Sequence, residues 1–428
     1  MTIDHRSASA SLDALLREQT PEALRARLAP KTHERPERIP GASGLSRADV
    51  DSRWRVLAHA STAQSVLLDA TATADAEKYA RNIENYLGTV KVPVGVAGPL
   101  RVNGTYAQGD YYVPLATTEA ALVASYNRGT LLISESGGCT AIVLHEGVSR
   151  APGFAFATMA EAGEFVSWAV RAIDQLRVVA EGTTRFGKLR DMRVNLDGNN
   201  VYLIFEFTTG EASGQNMVTI ATHAICQYID AQCPVRPRYW FIEANHSGDK
   251  KASQQSFLGG RGRSVTCECT LPRALVERIL HTTPEMMANY WRMSAVGGVL
   301  SGTIGVQGHY ANGLAAVYVA CGQDAACVAE SAVGVTRYEL TASGDLYASV
   351  TLPNLIVGTV GGGTSLPSQR ACLDILGLSG EGSANAFAEV CAALSLAGEL
   401  SIVGAIVAGH FAKAHAKRAR GASTAGTA

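Results

Sequence analysis

MRVNLDGNNVYLIFEF, residues 192–207, sets two runs of alternating apolar side chains on either side of Asp197-Gly198-Asn199. Strand side chains point to opposite faces in turn, and Asp-Gly-Asn suits a tight reversal, so the stretch predicts a β-hairpin. Upstream, GFAFAT (153–158) predicts a strand, and Phe165, Trp168, Ala172/Ile173, Leu176 and Val179 recur at helical spacing. Downstream, Met217, Ile220, Ala224/Ile225 and Tyr228/Ile229 mark a second amphipathic helix, and RYWFIEA (238–244) a closing strand. The order β-α-β-β-α-β is the ferredoxin-like arrangement.

The expected fold is therefore α+β, with a small ferredoxin-like domain over 152–241 inserted in a large helix-centred domain made of 81–151 and 242–428. Residues 1–80 contain Pro21, Pro30, Pro36 and Pro40. Proline disfavours helix at the residue before it, so a short helix around Leu12–Leu28 and then an extended linker are expected. After residue 270, helices and glycine-rich turns should dominate. Ala386 to Arg420 reads as one long helix, apolar nearly all round in its first half and hence buried there. The tail from Gly421, GASTAGTA, has the composition of a disordered segment.

At 428 residues the chain can bury more than one sizeable core, and 47% hydrophobic residues make it globular. A net charge of −1 without a basic stripe excludes a nucleic-acid binder from the leading readings. Nine cysteines without a framework spacing suggest reduced thiols in the cytoplasm, and Cys267-Glu268-Cys269 is too tight for a zinc half-site, so no metal is expected. The apolar run Leu394–Ala408 is broken by Glu399 short of the roughly 20 residues a span needs, so no membrane is expected either.

GTTRFGKL (182–189) has the spacing of a Walker A loop, but Leu189 stands where Ser or Thr should bind magnesium, and a strand follows instead of a helix. No G-x-G-x-x-G follows a strand. GTVGGGT (358–364) is a backbone-exposing turn that either approaches a ligand or makes a tight connection. Four isolated ionisable residues remain. Glu119, in PLATTEAALVAS, reads alone as a first-turn carboxylate just inside a helix start. Lys250, in SGDKK, reads alone as part of a wet loop, at the exit of the small domain. Asp324 follows an apolar run, where an unpaired carboxylate is costly. His415, in HFAKAHAKRAR, complements a helix C-terminus.

Together these residues and their neighbours change the picture. ENYLGTVKVPVGVAGPL (84–100), ATTEAALVASYNRG (116–129), GDKK (248–251), GRGRSVTCE (260–268), ACGQDAA (320–326), VGTVGGGTSLPSQRACLDILG (357–377) and LAGEL…AGHFAKAH (396–415) resemble, in order, blocks of the 3-hydroxy-3-methylglutaryl-CoA reductase family. The resemblance covers about 80–418, and a small ferredoxin-like NADP(H)-binding domain within a larger acyl-CoA-binding domain is that family's arrangement.

The resemblance implies a thioester reduced to a hemithioacetal, departure of CoA, and reduction of the aldehyde to mevalonate. It implies that Lys250 stabilises the developing oxyanion, that Asp324 tunes the lysine and links it to Glu119, and that Glu119 handles the proton. It gives His415, on a closing C-terminal flap, the departing CoA thiolate. Arg150 would grip the acyl carboxylate, with Asp249, Lys251, His309 and Asn312 as further substrate contacts. Thr184-Arg185-Phe186, the loop with Glu211, Gly214 and Asn216, and the turn with Gly361 and Gly362 would bind the dinucleotide. Arg185 and Asn216 at the 2′-phosphate would favour NADPH over NADH. A homodimer or higher homo-oligomer with sites at the subunit interface is also implied. The chain departs from the family's wording at Glu211-Ala-Ser-Gly-Gln-Asn216, Asn245-His-Ser-Gly248 and residues 293–312, around the acyl and nicotinamide positions. A reductase of another short acyl-CoA and a catalytically silent CoA- or nucleotide-binding protein therefore stand as alternatives.

Overall fold

A computed structural model describes residues 4–31, 37–41, 44–57 and 62–409. The chain divides into two compact units, residues 1–89 and 90–428.

In the first unit the expected single helix is two, His5–Glu18 and Pro21–Leu28. Thr20 caps the second and Pro21 opens it, a place where the missing N–H costs nothing. The expected linker is also partly helical. Ser46 and Asp49 form a capping box at the start of Arg47–Val56. Val50, Trp54, Leu68, Ala72, Ala76 and Tyr86 make a small core. Buried Arg53 donates to the carbonyl of Tyr86 at 3.0 Å, and the Thr89 amide donates to Leu67 O at 2.8 Å. These ties carry the unit past the expected boundary at residue 80.

Among the described residues, the second unit is built on an eleven-stranded mixed sheet. β1 (Val94–Gly104) and β2 (Gln108–Ala116) form a hairpin, and β3 (Cys139–Arg150) follows. β4 (Gly153–Ala155), β5 (Lys188–Asp197), β6 (Asn200–Thr208) and β7 (Tyr239–Phe241) come next. β8 (Gly262–Leu271), β9 (Gly305–Val306), β10 (Gly334–Leu340) and β11 (Leu346–Leu355) complete it.

β7, β4, β6 and β5 lie side by side in that order, all antiparallel. Helices Met159–Arg171 and Ile173–Glu181 stand between β4 and β5 in the chain, and Gln215–Gln232 between β6 and β7. The β5–β6 hairpin turns at Gly198, whose φ of 58° is strained for any residue with a Cβ. Val201, Leu203, Phe205 and Phe207 are buried alternately along β6 and join Phe165, Leu176, Val218 and Ile225 in one core. Each such side chain is worth about 1.5–3 kcal/mol when fully buried.

β3 belongs to both halves of the sheet. Residues 139–147 pair with β1 and β8, and residues 148–150 pair with β6. After residue 270 helices predominate, as expected, but β9, β10 and β11 lie among them. β8, β11 and β10 form an antiparallel run, with Cys267 opposite Val350 and Tyr338 opposite Ala348. Over this sheet lies helix Ala384–Val407, the centre of the larger core. With a mean hydropathy of 2.0 it is long and apolar enough to cross a membrane by composition, yet 83% of its most apolar window is buried within the protein. Glu389 and Glu399 are buried in it because each is satisfied. Glu389 accepts from the amides of Thr105, Tyr106 and Ala107, and Glu399 from those of Gly308 and His309. The helix was expected to run to Arg420; it ends at Val407, and Gly409 takes φ 69°. His415 and the tail from Gly421 lie outside the described residues.

Candidate active site

Ser247–Lys251 leaves the β7 region through a tight turn. Gly248 has φ 77°, Lys250 has φ 56°, and the Lys251 amide donates to Gly248 O at 3.1 Å. A left-handed conformation costs a residue with a Cβ roughly 1–2 kcal/mol, so the surroundings must hold it. The Lys250 amide donates to Glu330 Oε1 at 3.0 Å, and Lys250 Nζ meets Asp324 Oδ2 at 2.8 Å. Asp324 is itself fixed, its Oδ1 accepting from the Ala326 amide at 3.0 Å. The bond to Asp324 holds the lysine's pKa above its ordinary value, and burial lowers it less. Burial pushes the Asp324 carboxyl up, but Lys250 and the Ala326 amide outweigh it and the net shift is downward. The result is a half-exposed ammonium held charged in one place.

Below the turn lies a buried charge network. Arg150 Nη1 meets Asp249 Oδ2 at 2.8 Å and Glu243 Oε2 at 3.3 Å, and its Nη2 donates to Thr219 Oγ1 at 3.1 Å. Arg261 pairs with Asp249 Oδ1 at 2.9 Å and Glu330 Oε2 at 3.0 Å, and donates to Ser149 O at 2.9 Å. Removing one partner of such a buried set would leave an uncompensated charge. Lys251 is exposed and donates to Asp249 O at 2.8 Å.

Beside this network sit the loops expected to bind a dinucleotide. Gly214, with φ 77°, precedes helix Gln215–Gln232, whose N-terminus has no side-chain cap. Its first-turn amides, Asn216's among them, therefore suit an anion. A Cβ on Gly358 would meet the Ser213 N at 2.5 Å, so only glycine lets the 358–364 turn approach this loop. Gln323 donates to Gly358 O at 2.9 Å and accepts from the Gly358 amide at 2.8 Å. Gln215 Nε2 donates to Cys327 Sγ at 2.6 Å, so the helix start touches the segment that carries Asp324. Gly361 and Gly362 are exposed. The Glu211 carboxylate accepts from the Ala384 amide at 2.8 Å, an internal tie and not a free ligand group. Thr184 accepts from the Gly187 amide at 3.1 Å, and Gly187 lies against Met217, which places this turn beside the same helix start. Arg185 and Phe186 are exposed, and among the described residues Arg185 has no hydrogen bond or ion pair.

Among the described residues, no hydrogen bond or ion pair joins Glu119, His309 or Asn312 to that charge network. Glu119 was expected just inside a helix. It lies before one, because Ala121 adopts φ 72° and the helix begins at Leu122. Glu119 is exposed, its amide donates to Thr117 Oγ1 at 3.0 Å, and among the described residues no hydrogen bond or ion pair joins its carboxylate to Asp324 or Lys250. The expected Asp324–Glu119 link is thus absent within one chain. His309 Nδ1 lies 3.2 Å from Glu399 Oε1, and its ring stacks on Tyr126 at 5.7 Å. Burial, then Glu399 and Glu119, push the Tyr126 hydroxyl pKa up. Asn312 is half-buried, and its amide donates to His309 O at 3.0 Å. A small open cleft next to Glu399 is lined by Tyr290, Trp291, Gln307 and Thr336 among others. His415 lies outside the described residues.

The fold thus gathers Lys250, Asp324, Asp249, Lys251 and Arg150, and sets the glycine-rich turns next to them. Sequence reasoning missed Glu330, Arg261, Glu243 and Glu399. A signal existed for three of them. Arg261 sits in GRGRS, and Glu330 and Glu399, like Asp324, are lone carboxylates in apolar runs. No group of His, Cys, Asp and Glu that could hold a metal occurs among the described residues.

Three comparisons bear on this site. A family model described as hydroxymethylglutaryl-coenzyme A reductase matches residues 49–420. The chain is 46% identical over 347 residues to the 3-hydroxy-3-methylglutaryl-coenzyme A reductase of Pyrococcus horikoshii, covering 79% of this chain and 84% of that one. It is 45% identical over 352 residues to the same-named protein of Aeropyrum pernix, covering 81% and 83%. In fold it is similar to the class II 3-hydroxy-3-methylglutaryl-CoA reductase of Streptococcus pneumoniae solved bound to NADPH, with TM-score 0.63, 20% identity, and coverage of 83% and 97%.

Proposed function

The chain belongs to the hydroxymethylglutaryl-coenzyme A reductase family, and on that premise we propose that it reduces (S)-3-hydroxy-3-methylglutaryl-CoA to mevalonate and CoA with NADPH. The observation that carries this reading is the Lys250–Asp324 pair at 2.8 Å, held beside the uncapped start of helix Gln215–Gln232. A hydride acceptor gains negative charge on its carbonyl oxygen, and a preorganised cation is what lowers that barrier. Lys250 supplies it in both reductions, and Asp324 keeps it protonated and aimed.

The residues present fit a phosphorylated dinucleotide. The first-turn amides after Gly214, unclaimed by any side-chain cap, would take a phosphate, and the unpaired guanidinium of Arg185 would take the 2′-phosphate. Hydride is what the dinucleotide supplies when bound. Gly361 and Gly362 expose backbone on the neighbouring turn, and Gly358 allows that turn its close approach. On the acyl side, Arg150 already pairs with Asp249 and Glu243, so gripping a substrate carboxylate requires that pairing to open. Lys251 and Asn312 offer further polar contacts, and Glu399 orients His309.

We read residues 152–241 as a ferredoxin-like nucleotide domain; the antiparallel order β7-β4-β6-β5, with helices in the two crossovers, supports this. We also read the site as completed in a homo-oligomer, because Glu119 is exposed and no hydrogen bond or ion pair joins it to Lys250 or Asp324 among the described residues of one chain. The proton-handling role of Glu119 and the CoA-protonating role of His415 belong to this proposal. Nine free, buried cysteines suit a reducing cytoplasm. The test is NADPH oxidation followed with hydroxymethylglutaryl-CoA, a panel of short acyl-CoAs, and NADH in parallel. Turnover with another acyl-CoA alone would make the chain a divergent reductase, and no turnover at all a silent binding protein.

A further inference from the structure

Lys250 is gripped at both ends by one short segment. Asp324 binds its ammonium, and six residues on, Glu330 accepts from its backbone amide at 3.0 Å. Glu330 is fully buried in the four-residue helix Val328–Ser331. A lone carboxylate there would be costly, and Arg261 compensates it at 3.0 Å. The same guanidinium reaches Asp249, the residue before Lys250, at 2.9 Å. Burial pushes the Glu330 carboxyl's pKa up, and Arg261 and the Lys250 amide draw it back. The bracket therefore closes on residues 249 and 250 from both sides, where the backbone takes a left-handed φ of 56°.

We propose that Glu330, braced by Arg261, is the positioning residue for Lys250, holding its backbone in the turn from which Nζ reaches Asp324. This rests on the reading of Lys250 as the oxyanion-stabilising cation. Glu330 does not meet the reacting atoms; it acts by limiting where the ammonium can be. Position matters because a displacement of about 1 Å in a catalytic group can cost on the order of a hundredfold in rate.

In Glu330→Ala, kcat for hydroxymethylglutaryl-CoA reduction should fall at least about tenfold while the KM for NADPH stays within about twofold. Glu330→Gln keeps an oxygen for the Lys250 amide and should recover a clear part of that loss. Should the alanine variant not fold, Arg261→Lys replaces it. A lysine cannot reach Glu330 and Asp249 together, and kcat should fall at least about fivefold with the NADPH KM held. Unchanged kcat in these variants, or a change carried by KM instead, overturns the proposal.

A second measurement needs no turnover. Glycine adopts the left-handed turn unaided, so in a Lys250→Gly background Glu330→Ala, which removes the acceptor of the residue-250 amide, should lower the thermal midpoint less than in the wild type. Equal shifts in both backgrounds would make Glu330 a general buried ion pair and overturn the proposal. A wild type without reductase activity would count against the functional reading, and the stability cycle would still decide the role of Glu330.

Discussion

Replacing Lys250 by alanine separates two effects that one side chain could have. Its ion pair with Asp324 is short, 2.8 Å, but the side chains are 43% and 42% exposed. Pairs so open to water contribute about 0.2–1 kcal/mol to stability. Alanine at φ 56° bears much the same left-handed strain as lysine, so the backbone term roughly cancels. The variant should therefore fold and melt close to wild type. Catalysis should respond differently, because losing a preorganised donor to a developing oxyanion costs about 2.7–4 kcal/mol, or roughly a hundred- to thousandfold in kcat. The assay is the loss of NADPH absorbance with saturating hydroxymethylglutaryl-CoA, repeated with mevaldehyde, alongside a thermal melt. Both reductions should fail together. A variant that keeps more than about a tenth of wild-type turnover, less than 1.4 kcal/mol of barrier, would refute the assignment. So would a large drop in melting temperature that explains the lost activity by unfolding.

Asp324→Asn removes the chief cause of the raised Lys250 pKa. The charged lysine persists above its ordinary 10.5 in the wild type and is lost as pH rises through the raised value, so in the variant the alkaline limb of kcat should move to lower pH. A limb that stays in place would detach Asp324 from that titration. Arg185→Ala should raise the KM for NADPH much more than that for NADH, since only the former loses a charge-assisted contact; equal effects on steady-state KM would place the arginine elsewhere. His415→Gln should lose turnover with the acyl-CoA yet still reduce free mevaldehyde, which has no thiolate to expel. An unchanged ratio of the two activities would remove His415 from the reaction.

The β5–β6 hairpin was legible because β6 has one buried and one wetter face, β5 alternates in sequence although Val194 and Leu196 are exposed, and Asp-Gly marks the turn. Helix Gln215–Gln232 was legible for the analogous reason at helical spacing. β11 was not, although Leu346, Ala348, Val350 and Leu352 are buried against half-buried Tyr347, Ser349 and Thr351; its last residues, 352–355, are buried on both faces and carry the apolar run past the alternation. β10 did alternate, Thr336 and Tyr338 inward against Arg337 and Glu339 outward, and the glycine-rich flanks obscured it. Thr117-Thr118 resembles a helix cap, but the left-handed Ala121 delays the helix, which no local pattern announces. Lys250 and Asp324 were found through the blocks that contain them. The Glu330–Arg261–Asp249 bracket was not, since residues far apart in the chain meet only after the sheet has formed.

The shared strand β3 has a mechanical consequence. Were the halves of the sheet joined by loops alone, one could swing about the other with almost no restoring force. Here residues 139–147 are bonded to one set of neighbours and 148–150 to another, so rotation must be taken up as twist and bend of a single extended backbone. Ladder hydrogen bonds on both sides resist that deformation, and the irregularity between Val143 and His145 is its most compliant point. Both ladders therefore oppose displacement of the loops around Gly214 relative to Lys250.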